Sequence, residues 1–350
     1  MYTTFETYPM SATEMNQQFR LASRPLGLPV AANWQLLEEA LAPLEEGQVR
    51  VKVLYLSLDP AMRGWMNEGK SYIRPVAIGE VMRAGAVGVV VESRSPRFAA
   101  GDHVSGAFGV QRYWTGAADE KSGVVKIDPA LAPLPAWLNV LGMPGMTAYF
   151  GLLEVGQPKA GETVVVSAAA GAVGMTVGQV ARQLGCRVVG IAGGADKCRF
   201  VVEELGFDAC IDYKEGPLGP GLKQHCPNGV DVYFDNVGGE ILDAVLTRIN
   251  MKARIVICGA ISQYNNTTPV KGPANYLSLL VNRARMEGIV VFDYAPRYPE
   301  GVARLAQWLR EGSFRHREHV VEGFEKFPEA LLMLFEGKNF GKLVLKIAEA

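Results

Sequence analysis

Seven small residues, Ala168-Ala169-Ala170-Gly171-Ala172-Val173-Gly174, follow directly on the β-branched run "TVVVS". Backbone N–H groups at a helix start can hold a pyrophosphate, but only where no side chain keeps the phosphates at a distance. Gly171 and Gly174 supply that close approach and tight helix-to-strand packing. Ala169 stands where the G-x-G-x-x-G pattern begins with glycine, a position an alanine can fill with a negative φ. The chemistry indicated is dinucleotide binding, with Gly171 and Gly174 at the pyrophosphate. The next strand end reads "GIAGGADKCR", with Ala192, Gly193 and Gly194 where an NAD site carries an acid for the ribose 2′-hydroxyl, followed by Lys197 and Arg199. A missing acid with a cation just beyond suits a 2′-phosphate, so NADP(H) is the expected cofactor; Asp196 competes but comes late for a ribose contact. Tyr264 follows "CGAIS" at the C-terminal end of a strand-like segment, where ligands of parallel sheets bind. A phenol of pKa about 10 can hydrogen-bond a developing oxyanion without ionising at neutral pH.

These residues need a scaffold. From about residue 163, the runs "TVVVSAA", "CRVVGIA", "ACIDY", "VDVYFDN", "ARIVICGA" and "EGIVVFDY" alternate with helical stretches such as "VGMTVGQVARQLG", "DKCRFVVEELG" and "GEILDAVLTRI". Buried strands alternating with helices predict a doubly wound parallel α/β sheet of the Rossmann type. Residues 1–130 instead carry strand-like pieces, "QVRVKVLYLSLDP", "AGAVGVVVES" and "SGVVKID", broken by turns without intervening helices, which predicts a β-rich domain. After residue 312 a strand, a helix entered at Pro328, a glycine stop at Gly337 and a last strand are expected.

The chain has 350 residues, long enough for two cores. Lys and Arg total 35 against 36 Asp and Glu, so no net field would gather nucleic acid or coat an anionic membrane. No apolar run approaches the roughly 20 residues of a membrane span, and residues 1–20 lack a basic region followed by an apolar stretch. A soluble, cytoplasmic protein is expected. Five widely spaced cysteines (Cys186, Cys198, Cys210, Cys226, Cys258), none in a C-x-x-C pair, are expected to be reduced and mostly buried.

A β-rich domain, a dinucleotide domain and a short return resemble the medium-chain dehydrogenase/reductase superfamily, with a GroES-like first domain. Its zinc alcohol dehydrogenases carry a cysteine ligand after the early strand and a G-H-E motif. Here Leu58 and Asp59 replace the thiolate region, Ile78-Gly79-Glu80 has no histidine, and no cysteine precedes residue 186. Tetrahedral zinc needs nitrogen and sulfur ligands, so no metal is expected; His103 in "GDHV" is a lone turn histidine. The stretches "LYLSLDPAMRGWM", "GMPGMTAYFGL", "AAAGAVG", "LGFDACIDYK", "YFDNVGG", "CGAISQYN" and "NFGKLVLKI" resemble, in order, the zinc-free branch of prostaglandin reductases (leukotriene B4 12-hydroxydehydrogenases), 2-alkenal double-bond reductases and curcumin-reductase-like enzymes.

That resemblance implies NADPH-dependent reduction of the C=C bond of α,β-unsaturated aldehydes and ketones, with Tyr264 as enolate stabiliser or proton donor and Tyr55 lining the substrate pocket. For the cofactor it implies Gly171 to Gly174 at the pyrophosphate and Lys197 with Tyr213 at the 2′-phosphate. Asn236 and Cys258, Gly259, Ala260, Ile261, Ser262 and Tyr264 would lie along the dinucleotide, Val291, Phe292 and Asp293 near the nicotinamide, and Asn339 would reach in from the return. It also implies domains at 1–130 and 131–311, with 312–350 rejoining the first, and a homodimer. Two other readings stay open: an NADPH:quinone oxidoreductase, and an NADPH-binding sensor or structural protein without turnover.

Overall fold

The computed structural model describes residues 15–349. The leader reading of residues 1–20 therefore lies, for its first fourteen residues, outside the described residues. Among the described residues, an antiparallel ribbon of β1 (Met15–Leu21) and β2 (Trp34–Ala40) comes first. Then come β3 (Gln48–Ser57), α1 (Ala61–Trp65), β4 (Ala86–Ser93), β5 (His103–Gly106), β6 (Tyr113–Ala117) and β7 (Val125–Lys126). After α2 (Met143–Phe150) the alternation begins: β8 (Thr163–Ser167), α3 (Ala172–Gln183), β9 (Arg187–Ala192), α4 (Ala195–Arg199), β10 (Ala209–Asp212), α5 (Leu218–His225), β11 (Val230–Asp235), α6 (Gly239–Leu246), β12 (Ile249–Ile257), α7 (Leu277–Asn282) and β13 (Arg285–Gly288). The last elements are α8 (Tyr298–Arg310), β14 (Glu318–Glu322), α9 (Phe327–Phe335) and β15 (Lys342–Lys346).

The parallel sheet has the order β10-β9-β8-β11-β12-β13. Chain order reverses between β8 and β11, which leaves a crevice at their C-terminal ends. Every residue of β8 is buried. Val164 and Val166 pack in the core shared with α2 and α3, while Val165 packs in a second core on the opposite face. Both faces are thus covered, as the unbroken valine run predicts. Each such valine contributes roughly 1.5–3 kcal/mol by leaving water.

The second sheet runs β14-β15-β3-β4-β5-β7, with β6 also paired to β3. Its core takes Val49, Val51 and Val53 from β3, Phe327 and Leu331 from α9, and Leu343 and Leu345 from β15. Residues 318–346 therefore join the β-rich sheet, β15 lying between β14 and β3. Just before β15, Gly341 donates its N–H to Ala170 O (3.0 Å) and forms a parallel bridge with Gly171.

Four details differ from the sequence reading. The expected strand "EGIVVFDY" is β13 at Arg285–Gly288, followed by a helical turn over Val291–Arg297. β13 ends where its partner β12 ends, at Ile257↔Gly288, a limit that periodicity cannot see. The β-rich region contains a helix, α1, and the segment between the expected strands "ARIVICGA" and "EGIVVFDY", for which no element was named, contains α7. Finally, Cys198 and Cys210 form a disulfide, against the expectation of reduced thiols; α4 and β10 bring their Cα atoms to 5.2 Å, whatever their spacing in sequence. Cys186 and Cys226 are free and buried, with thiol pKa values pushed up to about 11 by that burial, and Cys258 is free and half-buried.

Candidate active site

A cleft of about 730 Å³ opens between the C-terminal ends of the parallel strands and the second sheet. Its floor is the small-residue turn. Ala168 takes the left-handed conformation here, at φ 51°, and Ala169 keeps the negative φ expected of it. Gly171 closes the turn by donating to Ala168 O (2.8 Å) and caps the N-terminus of α3. A Cβ at Gly174 would run into the Ala168 carbonyl, so that position is restricted to glycine by space alone. Bare backbone at the start of a twelve-residue helix fits a pyrophosphate.

At one end of the cleft, β9 and β10 place Gly193 against the Tyr213 ring: a Cβ there would lie 2.7 Å from the hydroxyl. Gly194 N donates to Asp212 Oδ1 (2.9 Å) and Tyr213 N to Ala192 O (3.1 Å), which fixes the corner. Lys197 Nζ donates to Gly337 O (2.7 Å), and burial draws its pKa below the ordinary lysine value, with Lys214 adding to the effect.

At the other end, Asn236 ties the ends of β11 and β8 together, its Nδ2 donating to Ser167 O (2.8 Å). Asp235 Oδ1 accepts from Tyr233 Oη (2.8 Å), Val237 N (3.0 Å) and Gly238 N (2.9 Å). Burial still outweighs these bonds and raises its carboxyl pKa. Tyr264 folds back over the Cys258–Ala260 backbone, its oxygen accepting the Ala260 N–H at 3.1 Å. Burial of the hydroxyl pushes its pKa up to about 12, and burial of the Cys258 thiol does the same there. The phenol stays protonated and has its own proton to give. Phe292 faces Tyr72 across the cleft at 6.2 Å between ring centres.

The cleft wall brings together Gly171, Ala172, Val173, Gly174, Lys197, Tyr213, Asn236, Cys258, Gly259, Ile261, Ser262, Tyr264, Val291, Phe292 and Asn339. It does not include three other residues named from the sequence. Tyr55 packs instead with Val87, Leu138 and Val344, because a register shift in β3 between Val53 and Tyr55 breaks the alternation, so that Leu56 joins Val53 on the core face and Tyr55 takes the other. Ala260 contributes only its backbone N–H, and Asp293 is exposed on the turn after β13. The sequence reading missed Asp59, Trp65, Tyr72, Met143, Thr147 and Lys342. Asp59 and Trp65 fall within the quoted "LYLSLDPAMRGWM", but a strand-to-helix turn there was not foreseen.

Lys342 is 2% exposed and reaches Asp59 Oδ1 (2.6 Å) and Leu58 O (2.8 Å). Leu58 and Asp59 stand where zinc relatives place their thiolate, so the carboxylate present there is held by an ammonium. Among the described residues, no group of three or more His, Cys, Asp or Glu is placed to hold a metal ion.

A parallel sheet with a glycine turn at a helix N-terminus, closed by a strand from a second, mostly antiparallel sheet, defines a dinucleotide-dependent oxidoreductase. Residues 17–126 match the family described as "N-terminal domain of oxidoreductase", and residues 172–308 match "Zinc-binding dehydrogenase". The NADPH-dependent curcumin reductase of Escherichia coli is 46% identical over 96% of this chain and 98% of its own. The 2-alkenal reductase (NADP(+)-dependent) of Nicotiana tabacum is 41% identical over 97% and 99%. The structure of CurA in complex with NADPH from Vibrio vulnificus superposes with a TM-score of 0.90 at 44% identity, covering 95% of this chain and 100% of that one. The chain belongs to the zinc-independent curcumin, 2-alkenal and prostaglandin reductase family of the medium-chain dehydrogenases/reductases. It is an NADPH-dependent reductase with NADP(H) as its cofactor.

Proposed function

We propose that the enzyme reduces the C=C bond of α,β-unsaturated aldehydes and ketones. The observation that carries this reading is Tyr264: a protonated hydroxyl, fixed by the Ala260 N–H, at the end of the cleft lined by apolar groups of Val291 and Phe292. NADPH, when bound, supplies the hydride for the β-carbon. The Gly171–Gly174 turn, Lys197 and Tyr213 hold the dinucleotide, with Asn236 and Asn339 along it. As the carbonyl oxygen takes up charge, the Tyr264 O–H donates to it, a stabilisation worth most where water is excluded. The same hydroxyl is a source of the proton that completes the product. Trp65, Tyr72 and Phe292 supply an apolar wall for an alkyl or aryl substituent.

The test is turnover of 3-nonen-2-one, 2-hexenal, curcumin and a benzoquinone with NADPH, with products identified by mass spectrometry. Saturated carbonyl products support the reading. Quinone turnover alone transfers it to a quinone reductase, and NADPH binding without turnover to a sensor.

We propose the domain division 1–130, 131–311 and 312–350, which the two-sheet arrangement supports. We also propose a homodimer: Tyr276, Leu277, Leu280 and Val281 are 55–73% exposed beside the open edge of β13. Light scattering on Leu280→Glu tests it, a monomer being the expected result. Three free thiols support a cytoplasmic location, and the Cys198–Cys210 bridge weighs against it. Alkylation of the native protein taken directly from cells decides between them.

A further inference from the structure

The Lys342–Asp59 pair is the most deeply buried ion pair among those described, its side chains 2% and 9% exposed, and both residues line the cleft. Ser57 Oγ donates to the second carboxylate oxygen, so Asp59 is held on both sides. A buried pair of this kind is a poor source of stability, since apolar residues of the same volume serve as well or better. Its connections suggest another use. Lys342 follows Gly341, whose N–H bonds Ala170 O beside the phosphate turn. Gly341 is itself held in place: its φ is +74°, and a Cβ would strike the Arg317 carbonyl. Asp59 lies just ahead of α1, and its carbonyl accepts the Met62 N–H at 3.0 Å. That helix carries Trp65 to the cleft wall. One ammonium therefore ties the strand fastened to the cofactor turn to the helix that walls the substrate side.

The geometry points to Lys342 and Asp59 as positioning residues for hydride transfer: together they set the distance between the phosphate turn and the α1 wall. The inference rests on the reductase assignment and not on the enone reading, so any acceptor the wild type reduces serves as its probe. A wild type that reduces only quinones would sink the enone proposal and leave this test intact.

Removing one partner would strand a buried charge, so the test uses the neutral double variant Lys342→Met/Asp59→Asn beside each single variant. The expected result for the double variant is an unchanged far-ultraviolet spectrum, a melting temperature near wild type, and an NADPH dissociation constant within about threefold by fluorescence titration. Its kcat falls about thirtyfold with little change in KM, because a misplacement of about 1 Å costs up to about 100-fold in rate. The primary isotope effect with 4-deuterated NADPH rises as hydride transfer becomes the slow step. A folded double variant with wild-type kcat and isotope effect overturns the inference. So does a double variant that unfolds or no longer binds NADPH, since the pair would then serve the fold or the cofactor site instead.

Discussion

At the Lys197 end of the cleft the groups are polar and within reach of water: Tyr213 is 44% exposed, and the ammonium is anchored on a backbone carbonyl. At the Tyr264 end the hydroxyl is desolvated enough to hold its proton to a pKa of about 12. The first arrangement suits capture of a charged group, where a charge-assisted hydrogen bond contributes about 1.5–3 kcal/mol to binding. The second suits charge that exists only during reaction, which a fixed donor in a dry site stabilises selectively. Binding and turnover should therefore separate along the cleft, and each end should answer to a different measurement.

The strongest test removes the floor both ends share. Gly174→Val drives a side chain into the Ala168 carbonyl and should weaken NADPH binding more than about 100-fold, read by nicotinamide fluorescence. Binding near wild type would show that the turn yields. Tyr264→Phe comes next: kcat should fall about 100-fold, with the NADPH dissociation constant within about twofold. An equal loss in both would place Tyr264 on the binding side and erase the contrast. Lys197→Ala should do the reverse, raising the NADPH dissociation constant roughly 10- to 50-fold while leaving NADH affinity and saturated kcat nearly unchanged.

The smallest effects are those of pH, and their signs differ between the ends. The raised pKa of Tyr264 keeps the donor protonated, so kcat should be flat from pH 6 to 9. The lowered pKa of Lys197 means its charge is lost earlier than an ordinary lysine's as pH rises, so NADPH affinity should decline on the alkaline side first. A kcat limb near the ordinary tyrosine pKa would contradict the buried hydroxyl.

Much of this was legible in the chain. The parallel sheet was readable because each of its first five strands carries its own apolar run, and the strand-to-helix turn because its tight packing demands glycine at 174. The return of residues 318–346 to the first sheet was not derivable from pattern; only the family resemblance placed it there. The substrate side was the least legible. Trp65, Tyr72, Asp59 and Lys342 are ordinary residue types at unremarkable spacings, and the cleft collects them from separate segments. Tyr55 is the opposite case: an aromatic in a matching motif, turned away by a register shift in β3 that periodicity does not reveal. Ala169 keeps the negative φ expected of it, and the left-handed residue of the turn is its neighbour Ala168, which the pattern did not single out.

The strand that closes the cleft has a consequence for how the protein is made. β15 lies between β14 and β3, and the ion pair at its start joins residues 283 positions apart. Loop-closure entropy makes such contacts slow to form. During synthesis, β8 to β12 can pair while the β-rich sheet still lacks an inner strand and leaves the Tyr55–Ser57 end of one β3 edge open. That edge is an aggregation risk, and a cofactor that gathers the turn and the returning strand would shorten the exposure.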